Sequence, residues 1–123
     1  MNPNIIAAFV TFLAAATQAH HATSTNFTQE LISVDGVIEQ IRYQNPHSSI
    51  LIKHTSGKDE GTYWLIETGA KTTLHRQGIN LESLAIGEKI TATGLKGRRQ
   101  YTMYLRKLVF EDGSVFTAKG LSQ

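Results

Sequence analysis

The residues with the clearest chemical potential are His20 and His21, which directly follow Ala19, and His47, which follows Asn45-Pro46. If the chain is cut after Ala19, His20 carries the free amine. That amine and its own imidazole can then close one chelate ring on a metal ion. If Ala19 is instead left as the first residue, His21 becomes the third. The amine, two backbone nitrogens and the His21 imidazole then suit square-planar Cu(II). Imidazole and amine nitrogens favour Cu(II) over the other common divalent ions. The sequence has no cysteine, so a soft-metal site must use nitrogen and oxygen donors. His47 offers a third imidazole for an all-nitrogen copper site with His20 and His21. Against this stands a plainer expectation. Chain starts are usually poorly ordered and solvated, and a histidine after a proline turn can be bonded to backbone, with Asn45-Pro46 serving only the turn.

Other side chains carry weaker signals. His54 and His75 have no partner at a ligating spacing and read as solvated or locally bonded. Glu67 closes an apolar run, where it could act as a general base or a ligand but more often is a strand-end charge in water. Lys96, Arg98, Arg99, Arg106 and Lys107, interleaved with Tyr101 and Tyr104, form a basic-aromatic stretch. Such a stretch can hold single-stranded nucleic acid through charge and stacking. Export argues against that partner, and an envelope protein, an anionic glycan or the membrane surface suits the stretch better. No nucleophile–base pattern, phosphate loop, paired carboxylates or zinc-protease helix occurs. Catalytic groups can still be assembled in space from distant residues, but nothing in the sequence argues for turnover, and binding is the expectation it supports better.

Compartment follows from the start of the chain. Ile5 to Ala16 is apolar or small except for Thr11, and it leads into Thr17-Gln18-Ala19. That run is too short for a comfortable span, which takes about twenty apolar residues, but it fits a signal peptide with a small-residue cleavage site. Residues 1–19 are read as a cleaved signal, 20–30 as the mature amino-terminal segment and 31–120 as one domain in the periplasm, with no stable membrane span after cleavage. Twelve Lys and Arg against ten Asp and Glu give a formal charge of +2, too small a surplus to imply a polyanionic partner by itself.

Alternation of apolar and polar residues predicts strands over 31–43, 47–55, 62–68, 89–95 and 100–110, with a short one over 115–118. Asp35-Gly36 interrupts the first and predicts a bulge or sharp bend. Trp64 reads as a core side chain. A helix is expected over Ala70–Gln77, stopped by Gly78, and a hairpin at Asp112-Gly113. Three strands, a helix and then further strands is the order of a mainly β, five- to six-stranded barrel of the oligonucleotide/oligosaccharide-binding (OB) kind. A small open β sandwich is the other arrangement compatible with the pattern.

These residues also resemble a known family. The pattern runs His20-His21, Gly36-Val37-Ile38, Asn45-Pro46-His47, Trp64-Leu65-Ile66-Glu67, Leu74…Arg76…Gly78, Leu84…Gly87-Glu88…Gly94 and Arg106…Leu108…Asp112-Gly113. In this order and spacing it is similar to DUF6152, a family of small exported bacterial proteins of unknown function. The chain departs from the family at Ala70-Lys71-Thr72, where a Ser-Pro-Asn-like cap is usual, and at Ile79, where tryptophan is common. The resemblance implies a periplasmic, barrel-like domain and no established activity.

Overall fold

A computed structural model of the protein describes residues 25–118. The expected leader and the His20-His21 pair lie outside the described residues. Among those residues no helix is long and apolar enough to cross a membrane.

The chain forms one six-stranded sheet. Its strands are β1 (Phe27–Arg42), β2 (Ser48–His54), β3 (Tyr63–Thr68), β4 (Lys89–Gly97), β5 (Thr102–Phe110) and β6 (Val115–Thr117). The order is β3-β2-β1-β4-β5-β6, and β3 also pairs with β5. That ladder is parallel, while every other is antiparallel. Pairing thus runs through β1, β2, β3, β5 and β4 and returns to β1.

Strand alternation supplies the core. Ser48, Ile50 and Ile52 of β2 are buried, as are Ile66 and Thr68 of β3, and Ile50 lies opposite Ile66. Two irregularities keep the apolar residues inward where strict alternation would turn them out. In β1, Ile38 faces Ile52 and Gln40 faces Leu51, so Glu39 is the extra residue. In β5, Leu105 faces Gly94 and Lys107 faces Thr93, so Arg106 is the extra residue. A bulge shifts the side-chain phase by one, which is why Leu105 and Leu108, three positions apart, are both fully buried.

Of the bulge or sharp bend expected at Asp35-Gly36, the bulge is not there. Asp35 pairs with Thr91 and Gly36 with Ile90 without a break in register. Gly36 is instead a point of close approach, since a Cβ would lie 2.8 Å from both Ile52 Cδ1 and the Lys53 carbonyl oxygen. Trp64 is also less central than expected. It is half-buried and packs at the margin of the core, its ring edge-on to Tyr101 with centroids 5.5 Å apart.

The one described helix longer than a single turn, α1 (Lys71–Arg76), has no side-chain cap of its own at Ala70. Asn45, distant in sequence, takes that role. Its Oδ1 accepts from the Thr72 backbone N–H (3.2 Å) and hydroxyl (3.3 Å), satisfying a donor that the helix start leaves unpaired. The Lys71 N–H donates to the Gln44 carbonyl at 2.9 Å. The helix closes at Gly78 (φ 77°), after which Ile79 N–H donates to the Leu74 carbonyl. Ile79 is buried in the core, so the smaller side chain still fills the position. A 3-10 turn over Leu81–Ser83, capped by Asn80, was not anticipated and buries Leu81 completely. Asp112 closes the last hairpin, where hydrogen bonds from the Ser114 hydroxyl and backbone hold its carboxyl below the usual range.

Candidate functional site

The register places a set of polar side chains on the outer surface. Ser49 of β2 faces Arg42 of β1 on one side and Glu67 of β3 on the other, and Glu67 faces Tyr104 of β5. Because Ile66 and Thr68 point into the core, Glu67 between them points out. It is half-buried and lies between two clefts.

The first cleft, about 410 Å³, is walled by Glu67, Arg98 and Arg99, with Asn26 and Phe27 at the start of β1 and Thr102 at the start of β5. The turn carrying the arginines is fixed through its backbone. Arg98 N–H donates to the Asn26 carbonyl (2.9 Å), the Thr102 hydroxyl donates to the Arg99 carbonyl (2.6 Å), and Leu65 N–H donates to the Tyr101 carbonyl (2.9 Å). Tyr101 holds a positive φ of 57°, unusual for a bulky residue, and this conformation lets its ring pack against Trp64. The backbone is thus anchored while both guanidinium side chains are exposed. Lys96 and Gly97, expected in this loop, belong instead to β4.

The second cleft, about 400 Å³, lies on the other side of Glu67 and is lined by Arg42, Gln44, His47, Ser49 and Leu65. His47 is exposed. Its turn is anchored from several sides. The Ser48 hydroxyl donates to the Gln44 carbonyl (3.1 Å), Ser48 N–H donates to the Gly69 carbonyl (3.0 Å), and Asn45 is bonded to Thr72. The peptide bond between Asn45 and Pro46 is cis. The backbone bond expected for the His47 ring is not formed among the described residues.

Beside Glu67, burial pushes the Tyr104 phenol above its ordinary pKa. Arg106 opposes that shift and Glu67 adds to it. Phe27 covers the Tyr104 ring at 5.2 Å between centroids. Nη1 of Arg106 is buried with no hydrogen-bond partner among the described residues. The ion pairs found among the described residues, Lys89–Glu111 and Lys96–Glu30, lie on the exposed surface and involve neither Glu67 nor Arg98 and Arg99.

The other sequence candidates are scattered. The His54 ring, through Nδ1, bonds the Asp35 carbonyl at 2.7 Å, as a locally satisfied histidine should. His75 is exposed on α1. No group of three or more His, Cys, Asp or Glu placed to share a metal occurs among the described residues, so His47 has no second such donor pair there. What sequence reasoning missed is Arg42 and the link through Glu67 between the arginine turn and His47. Outward alternation marks both residues, but only the strand order makes them neighbours.

A family model described as a family of unknown function (DUF6152) matches residues 8–105. No curated protein matches the chain. Among solved structures, the chain is similar to the crystal structure of the ZRD-deleted mutant of TiaS in complex with agmatine, at 17% identity and a TM-score of 0.47. That likeness covers 76% of this chain and 23% of that one, so this chain spans under a quarter of that protein's length. At this level it says nothing of a shared ligand.

Proposed function

This chain belongs to the DUF6152 family, whose function is unknown, and we propose that it is an exported, periplasmic binding module that holds an anionic envelope component. The observation that carries this reading is the first cleft. Arg98 and Arg99 line it, both exposed, on a turn whose backbone is anchored at three points. Guanidinium matches the planar geometry of phosphate and carboxylate oxygens and remains charged at any physiological pH. Anchoring the backbone lowers the ordering cost of binding. The cyclic pairing of β1, β2, β3, β5 and β4 supports an OB-like barrel, a scaffold often used for binding. The apolar run Ile5–Ala16 supports export through a cleaved signal.

The test is an amide-resolved NMR titration of mature protein with glucose 1-phosphate and trigalacturonate, using maltotriose as the uncharged control. Saturable shifts are expected over 98–102 with the two anions and not with maltotriose. Replacing both Arg98 and Arg99 with alanine should weaken binding about 10-fold or more, as expected for losing charge-assisted hydrogen bonds. Shifts that persist in the double variant, or that maltotriose matches, would remove the cleft from consideration.

A second reading is favoured by one specific observation, the exposed imidazole of His47 on an anchored turn, unbonded among the described residues. In it, one Cu(II) is held by His47 together with the terminal amine and the imidazole of His20, or of His21 under the alternative cut. Residues 22–26 would have to carry the terminus toward the second cleft. Copper titration of correctly processed protein, followed by electron paramagnetic resonance, should give one equivalent bound through nitrogen donors. Both His47→Ala and an extra residue before the terminus should weaken it about 10-fold or more, since each removes a donor. Unchanged affinity and spectra in both would return the histidines to a purely structural role.

A further inference from the structure

The place of Glu67 says more about the ligand than the arginines do. A cleft serving a simple anion gains from Arg98 and Arg99 and loses from a carboxylate in the same wall, because like charges repel most where solvent is partly excluded. Glu67 is nonetheless half-buried there and forms no ion pair with either arginine among the described residues. The strand that carries it is also fixed in place. Its backbone is paired on both sides, opposite Ser49 and opposite Tyr104, and its neighbours Ile66 and Thr68 are wholly buried. The fold thus holds one acceptor-only carboxylate and two donor-only guanidinium groups around a single cleft of about 410 Å³.

Resting on the anion-binding reading above, we propose that the first cleft recognises a zwitterionic group, a phosphate joined by a short linker to a primary ammonium. Arg98 and Arg99 receive the phosphate oxygens. Glu67 accepts N–H bonds from the ammonium. A primary ammonium has three such donors, whereas a quaternary one has none and presents only methyl groups to a carboxylate. The cleft should therefore discriminate phosphoethanolamine from phosphocholine as well as from bare phosphate. The carboxylate that penalises a simple anion becomes the specificity element, a use of repulsion common in selective sites.

The test compares O-phosphoethanolamine, O-phosphocholine and inorganic phosphate by NMR titration of the mature chain, in wild type, Glu67→Gln and the Arg98→Ala/Arg99→Ala double variant. Wild type should bind O-phosphoethanolamine about 10-fold tighter than either other probe. Glu67→Gln, close in shape and checked for folding by its amide spectrum, should abolish that preference while phosphate binding holds or tightens, because a repulsive charge has gone. The double arginine variant should lose all three probes. Equal affinities in wild type, or a preference that survives Glu67→Gln, would overturn the zwitterion assignment while leaving anion binding intact. No saturable binding of any probe would overturn both. Sedimentation with phosphatidylethanolamine/phosphatidylcholine vesicles against phosphatidylcholine alone then identifies the source. Co-sedimentation only with the former supports a lipid headgroup, and absence of it beside soluble binding supports phosphoethanolamine carried on another envelope molecule.

Discussion

Gly97→Ala is expected to destabilise the domain by about 3 kcal/mol, in the upper range for overpacking a fitted interior. A Cβ at Gly97 would collide with the Thr102 hydroxyl oxygen, and would also lie 2.8 Å from Thr102 Cβ and 2.9 Å from its carbonyl oxygen. Thr102 has little freedom to yield. It is 5% exposed, its hydroxyl is committed to the Arg99 carbonyl at 2.6 Å, and β-branching restricts its rotamer. Relief must come from the backbone, by pushing apart β4 and β5 where the arginine turn joins them. The measurement is the urea midpoint, followed by the double variant with Thr102→Ala. The double variant should recover part of the loss, because removing the hydroxyl removes the collision, so the two changes should not add. A midpoint equal to wild type would mean that the β4–β5 junction is looser than its contacts indicate. Because this junction sets where Arg98 and Arg99 project, any surviving Gly97→Ala protein should also bind anions more weakly.

What the sequence could reveal here depended on how far each interaction reaches along the chain. Alternation in Ser48–His54 and Tyr63–Thr68 is a property of adjacent residues, and both strands appear within a residue of their expected bounds. The helix and its Gly78 stop are equally local. The bulges at Glu39 and Arg106 were not legible, because an extra residue is defined only against its partner strand. Asp35-Gly36 looked irregular on its own and proved to be a close approach to Ile52 and Lys53. The helix start has no cap of its own in sequence because the cap, Asn45, is supplied by a turn far upstream. The same limit governs the site. Arg98, Arg99 and His47 stood out by residue type and were named for separate reasons. The parallel pairing of Glu67 with Tyr104 and the antiparallel pairing of Glu67 with Ser49 bring their surroundings together around one carboxylate. Neither pairing leaves a mark in the local pattern, so Glu67 read as an ordinary strand-end charge.

That parallel ladder is short, over Leu65–Glu67 and Thr102–Tyr104, and its stability should rest largely on Ile66. This side chain is fully buried, with Ile50 opposite it in β2 and Met103 opposite it in β5. Ile66→Ala is expected to cost about 3–4 kcal/mol, the lost transfer energy plus the cavity left among partners that cannot fully collapse. Ile66→Val should cost only about 1 kcal/mol. The two variants separate packing from a general effect of substitution at the site. Amide hydrogen exchange then locates the damage. The Leu65 N–H, bonded to the Tyr101 carbonyl at 2.9 Å, should lose protection in Ile66→Ala more than amides of the β1–β4 ladder do. Local opening of β3 from β5 releases the first before global unfolding exposes the second. Zwitterion preference should fail in the same order, since opening β3 from β5 moves Glu67 away from Arg98 and Arg99 while leaving the arginine turn tied to Asn26. Uniform loss of protection across both ladders would instead mean that β3 and β5 open only when the whole sheet does, and that the cleft is as rigid as the core beneath it.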